Sequence, residues 1–203
     1  MDPALYVTAF VTLFVVIDPI GLAPLFIALT RGMDAPERNR IALRAVTVAA
    51  VLLTLFGLAG EAILGAIGIS LPAFRIAGGI LLFLTALDML FERRTERREG
   101  QSAPHDDPSV FPLATPLLAG PGALATMILL VGEGSGAAHS AIIIAVMLLV
   151  LGMALALFYL AGPIARLLGR TGTIVITRLF GMLLAALSVQ FIIDGIKGAG
   201  LGA

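Results

Sequence analysis

Long charge-poor runs dominate this chain, separated by short polar stretches in which arginines cluster. Six runs are readable, at roughly 5–29, 42–68, 74–91, 111–132, 140–163 and 174–196. About 20 apolar residues in a helix rise ~30 Å, the thickness of a bilayer's hydrocarbon layer. Lipid offers backbone amides and carbonyls no partner, so such runs must be helical. Composition agrees, at 59% hydrophobic and 13% charged, where soluble domains carry about a quarter charged residues. The expected fold class is all-α: a polytopic membrane protein with six transmembrane helices.

Basic residues set the expected orientation. Of the 13, all but Arg75 and Lys197 fall on the first, third and fifth loops or their edges. Those loops are expected on the cytoplasmic side, with both termini outside. The start, MDPALYVTAF, lacks the positive n-region of a cleaved signal, so the first run is expected to stay as a span. A net charge of zero argues against nucleic acid as a partner. The absence of cysteine excludes disulfides and thiolate metal sites.

The polar segment at 92–110, rich in mixed charge with Pro and Gly, reads as a cytoplasmic linker between two halves, 1–91 and 111–203. The halves look related. RIAGGILLFLT at 75–85 lies over RLFGMLLAALS at 178–188, bringing Arg75, Gly78, Leu81, Leu84 and Thr85 onto Arg178, Gly181, Leu184, Leu187 and Ser188. Three spans per half would give the second half reversed polarity in the membrane. Two inverted three-helix repeats are a recurrent plan of secondary transporters, whose sites lie near the midplane on broken helices.

Breaks occur at matching places. Span 1 carries DPIGLAP at 18–24, and span 4 carries AGPG at 119–122 beside Pro112 and Pro116. Proline removes an amide and repels the carbonyl one turn earlier. Peptide groups freed in this way are tolerated at membrane depth only where protein or water buries them. Both spans are therefore expected to break near mid-membrane and to frame a small polar chamber. Half-helix N-termini suit a carboxylate, while Asp18 suits an ammonium, a proton or a monovalent cation. A small zwitterion fits both. The candidate binding residues are Asp18, Pro19, Ile20, Gly21 and Pro24 with Thr115, Gly120, Pro121, Gly122 and Thr126, and Asp18 is the candidate for ion coupling. The competing reading is that the prolines only kink helices for packing and that Asp18 only caps the half-helix opening at Pro19.

Other in-span polar groups have lesser candidate roles. Arg75, Arg178, Thr85, Ser188 and Gln190 are candidates for gating or support, or else for snorkelling and helix-to-helix bonding. Glu61 is expected to reach water or to pair with Arg75. Gly152/Ala156 and Gly181/Ala185 are spaced for close helix approach. His105 and His139 read as loop residues, and the HDD at 105–107 lacks the spacing of a metal site. No metal, cofactor or catalytic constellation is expected, so an enzyme is the weakest class. A membrane scaffold and a passive channel remain alternatives to a carrier.

Taken together, the six spans, DPIGLAP, the broken fourth span and the central linker resemble the MarC family along essentially the whole chain. That family is also grouped with small neutral amino acid transporters in a wider set resembling the LysE exporters. Its N-P-x-G-x-x-P motif is matched by Pro19, Gly21 and Pro24, with Asp18 where the family usually has Asn. The resemblance implies a bacterial-type inner-membrane protein, outward termini, and transport of small neutral amino acids such as glycine and alanine.

Overall fold

The computed structural model describes residues 3–30, 32–91, 108–134 and 136–200, with backbone alone at 3, 162–170 and 173. Arg31, the linker over 92–107 and the side chains of Arg166 and Arg170 lie outside the described residues. Seven α-helices and one irregular helical segment follow in order. They are α1 (Pro3–Ile17), α2 (Pro19–Leu29), α3 (Ala35–Ala66), α4 (Leu71–Leu90), the irregular α5 (Ser109–Leu118), α6 (Pro121–Gly132), α7 (Ala137–Tyr159) and α8 (Ala161–Gly198). No strand occurs among the described residues. Five stretches are long and apolar enough to cross a membrane: Ala4–Leu29, α3, α4, α7 and Ile174–Gly198. α5 with α6 makes a sixth across a 54° bend.

Local signals set the helix starts. The Asp34 carboxylate accepts from the Glu37 amide at 2.8 Å to open α3. The Ser70 hydroxyl accepts from the Ala73 amide at 3.3 Å to open α4. Each has a proline in the first turn, where its missing amide costs nothing. One expectation is corrected. The fifth loop, read at 164–173, is helical backbone continuous with α8. Pro163 sits in the first turn of α8, where the helix accepts it, and Gly169 and Gly172 lower helix propensity without ending it.

Ala4–Leu29 is more enclosed than α3, α4, α7 or Ile174–Gly198, with 61% of its most apolar window buried, against 22% for Ile174–Gly198. The interrupted first span thus runs through the middle of the bundle, and α8 flanks it. α3 packs on α5 and α6, and α7 packs on α1 and α2. α4 packs on α6, and α8 packs on α2. Each of these contacts has its counterpart in the other half. The parallel stack of Phe26 on Phe158, 4.6 Å between centroids, locks α2 to α7.

α4 and α8 share the most extensive seam, and small residues build it. A Cβ on Gly79 would meet the Ser188 carbonyl at 2.7 Å, one on Gly181 the Ala86 carbonyl at 3.2 Å, and one on Gly195 the Pro72 carbonyl at 2.9 Å. As α4 numbers rise, their α8 partners fall, so the two helices run antiparallel. Lipid tails are as apolar as leucine, so helices gain by approaching closely rather than by leaving water. Gly152, read as a packing position, instead has open space where its Cβ would stand.

Leucine at Gly79 or Gly195 is expected to lower the thermal midpoint in detergent, with an overpacking cost of about 1–3 kcal/mol. Leucine at Gly152 is expected to leave it unchanged. Equal tolerance at all three positions, read by thermal scanning of the purified variants, would show that the seam does not depend on close approach.

Candidate functional site

Span 1 is interrupted at a single residue. Asp18 stands between α1 and α2 at φ 53°, ψ 61°, in left-handed geometry. Asp and Asn enter that region more readily than other side-chain-bearing residues. Its amide still donates to the Phe14 carbonyl at 2.9 Å, and its carbonyl still accepts from Leu22 at 3.0 Å. The span therefore continues with a local twist and does not open into two separate half-helices. Its side chain turns back as the N-cap of α2, and Oδ1 accepts from the Gly21 amide at 3.0 Å. Gly21 leaves room for this cap, because a Cβ there would overlap the Asp18 carboxylate and displace it. Pro19 and Pro24 carry no N–H, so the carbonyls of Val15 and Ile20 lose the amide four residues on.

Span 4 breaks more sharply. α5 has extended backbone at Phe111 and Thr115, each just before a proline. The Phe111–Pro112 and Thr115–Pro116 bonds are cis. Gly120 (φ −74°, ψ 166°) then opens α6 without a side-chain cap. A Cβ on Gly120 would stand 2.6 Å from the Pro116 carbonyl, so only glycine fits the corner.

The two breaks meet at the centre of the bundle. The Cβ position of Gly122 lies 3.6 Å from Val16 Cγ1, 2.9 Å from Leu82 Cδ2 and 3.7 Å from Thr85 Oγ1. Four residues on, along the same face of α6, Thr126 is 0% exposed and its Oγ1 has no hydrogen-bond partner among the described residues. Side chains on a helix lean toward its N-terminus, so this hydroxyl leans toward the first turn of α6. Asp18 is 1% exposed, and Gly120 and Gly122 are buried with it. The centre is closed to solvent in this conformation.

The remaining candidates divide. Thr85 borders the centre, although its hydroxyl donates to Leu81 at 3.0 Å. Ser188 is buried and donates to Ala185 at 2.7 Å on the α4–α8 seam. Ile20, Gly21 and Pro24 are half-buried on α2, Pro19 is buried, and Pro121 and Thr115 are exposed. Arg178 is exposed on α8. Gln190 is exposed and donates to the Asp194 carboxylate at 2.9 Å, so it works at the termini-bearing end of the bundle and not at the centre.

Arg75 also lies at that end. Its Nη2 pairs with Glu133 Oε1 at 2.9 Å, so its partner is Glu133 and not Glu61. His139, read as a loop residue, is buried in the first turn of α7, and its Nε2 lies 2.8 Å from the Leu130 carbonyl. Tyr6 packs on its ring at 5.9 Å. The sequence reading missed Glu133, which sits in a glycine-rich turn. The signal that was available was an acid directly after an apolar run, at a helix C-terminus where the dipole disfavours it.

Asparagine at position 18 is expected to keep both the left-handed geometry and the cap, and so to leave stability unchanged within about 0.5 kcal/mol. Alanine at 18 removes the cap and tolerates the geometry poorly, at a cost of about 1–3 kcal/mol. Thermal denaturation of the two variants separates them, and equal midpoints would rule out the capping role.

Comparison with known proteins agrees with this architecture. Residues 4–200 match the family model described as MarC family integral membrane protein. A UPF0056 membrane protein of Methanocaldococcus jannaschii is 39% identical over 203 residues, covering 98% of this chain and 99% of its own. UPF0056 membrane proteins of Escherichia coli, YhcE, and Bacillus subtilis, YvbG, are each 36% identical. They cover 97% and 95% of this chain and 94% of their own lengths. No solved structure matches. With nearly its whole length matched, this chain belongs to the MarC family of integral membrane proteins.

Proposed function

We propose that this protein is a secondary transporter of small neutral amino acids, of the size of glycine or alanine, working by alternating access. The observation that carries this reading is the contrast between the two N-termini at the centre. α2 is capped by its own carboxylate, Asp18. α6 begins at Gly120 with no side-chain cap and carries a buried, unbonded hydroxyl at Thr126. The first turn of α6 suits a carboxylate brought by a solute, and Thr126 Oγ1 can donate to it. Asp18 supplies the opposite charge for an ammonium group. A zwitterion with a small side chain satisfies both.

Alternating access draws support from the packing. The contacts of one half recur in the other, and α4 runs antiparallel to α8, as two inverted repeats rocking about a central site require. In this reading Asp18 is also the coupling residue, neutralised by a proton or a monovalent cation. The termini lie on the outer face of a bacterial-type inner membrane, as the arginine distribution argues.

Proteoliposomes loaded with labelled alanine or glycine provide the test. A coupled carrier moves the solute against its gradient when a proton or cation gradient is imposed. Simple equilibration would indicate a channel, and no flux would indicate a scaffold. Thr126→Val removes a hydroxyl that bonds nothing among the described residues, so stability is expected to hold. The apparent KM is expected to rise about tenfold, the loss of one good hydrogen bond. An unchanged KM removes Thr126 from the site. Asp18→Asn keeps an acceptor oxygen but removes the charge, so it is expected to weaken substrate binding and to alter the pH or ion dependence; an unchanged dependence removes Asp18 from coupling.

A further inference from the structure

At the end of the bundle that carries the termini, five helices bring ionisable groups toward one point. Glu133 caps the C-terminus of α6. Arg75 of α4 pairs with it at 2.9 Å, the two side chains being 21% and 30% exposed for Arg75 and Glu133 respectively. Asp194 of α8 and His139 of α7 both act on Glu133 electrostatically. Glu61 of α3 reaches the preceding residue, its Oε2 standing 3.9 Å from the Cβ position of Gly132. Asp194 is itself held by Gln190. Arg75 gives Glu133 one nitrogen, while its Nε is buried without a partner among the described residues. Three acids and one arginine on separate helices therefore meet where α6 ends.

We propose that Glu133 is a proton-binding site that latches the termini-bearing end shut, joining α6 to α4 while it holds its proton. This rests on the alternating-access reading, because it assigns the latch to a conformational change.

The physical reasons are local. Glu133 stands at a helix C-terminus, where the dipole opposes negative charge. Burial raises its pKa above the usual carboxylate value of 4.5, Arg75 opposes the rise, Asp194 adds to it, and His139 opposes it. Opening this end hydrates the carboxyl and returns it toward its ordinary value. A carboxyl whose pKa is higher closed than open binds its proton more tightly when closed. Acid therefore favours closure, and opening releases the proton, in the pH range upward from the ordinary carboxylate value. In the neutral form Glu133 still accepts a hydrogen bond from Arg75, so the contact between α4 and α6 survives loss of the carboxylate charge.

The chain has no native cysteine, so a single introduced thiol reports on the latch. Leu130→Cys, buried one turn inside Glu133, is compared with Ala137→Cys on the exposed start of α7. Both are labelled with an impermeant maleimide in nanodiscs between about pH 8 and pH 5, a range spanning raised carboxylate values. The ratio of Leu130→Cys to Ala137→Cys labelling is expected to fall with acid, by up to about tenfold per pH unit for one linked proton. Glu133→Gln is expected to hold the ratio at its acid level at every pH. Glu133→Asp is expected to restore the dependence, and Arg75→Gln to move it to higher pH. A ratio independent of pH in the parent, a dependence unchanged by Glu133→Gln, or one abolished by His139→Gln overturns the proposal. The transport assay is separate. Flat labelling with concentrative uptake removes the latch and keeps the carrier, whereas pH-dependent labelling without uptake does the reverse.

Discussion

Inside a bilayer every peptide group has to find its partner within the protein, and this bundle is arranged around the two places where the chain cannot provide one from its own helix. A proline in a soluble helix exposes a carbonyl to water at modest cost. In a span it leaves that carbonyl facing hydrocarbon. The chain answers by placing both interrupted spans inside. Ala4–Leu29 is more enclosed than any of the four continuous spans, and Leu117, Leu118, Ala119 and Ala123 around the second break are all buried. The continuous helices α3, α4, α7 and α8 surround them and turn Val51, Leu55, Leu148, Leu149, Leu179 and Leu183 outward. Burying the breaks thus settles which helices are central and which are peripheral.

A related rule explains the shape of each break. The residue before a proline is pushed away from right-handed helical geometry by the ring. Phe111 and Thr115 obey it with extended backbone, Gly120 obeys it with ψ near 166°, and Asp18 obeys it by crossing to the left-handed region. Ala23 before Pro24 does not, and α2 runs on through it. Asp18 keeps its helical hydrogen bonds on both sides, so the first span is one continuous crossing. α5 has two extended residues four apart, and its chain bends by 54° before α6.

What the sequence disclosed follows from the range of each interaction. Spans announce themselves by composition, because that is a property of a segment alone. The capping role of Asp18 was legible too, since Asp before Pro opens a helix within four residues. Pairings across the bundle were not. Arg75 and Glu133 are 58 positions apart, and Glu61, on the helix just before α4, was an equally charged choice. His139 looked like a loop residue until the first turn of α7 buried it against Leu130. The unbonded hydroxyl of Thr126 was invisible for a different reason. A threonine in a span usually bonds its own helix, as Thr8, Thr30, Thr47 and Thr85 do here. Nothing in the sequence marks Thr126 as one that has no such bond among the described residues.

That exception gives α6 a particular standing. It is a single rod of 12 residues, about 18 Å long at 1.5 Å per residue, with an uncapped N-terminus at the centre and Glu133 at its far end. It is gripped by α3 through Gly57 and Gly60, by α4 through Gly78 and by α1 at Val16. Each of these seams is lined by a residue without a bulky side chain, or by one that meets such a residue. Smooth surfaces let a helix shift as a body with little repacking, whereas interlocked large side chains would hold it. In the proposed carrier, a solute at one end of the rod and the Arg75–Glu133 contact at the other act on the same few degrees of freedom. On that proposal, binding at the centre and proton release at the rim influence each other without any further relay, because moving either end of α6 moves the other.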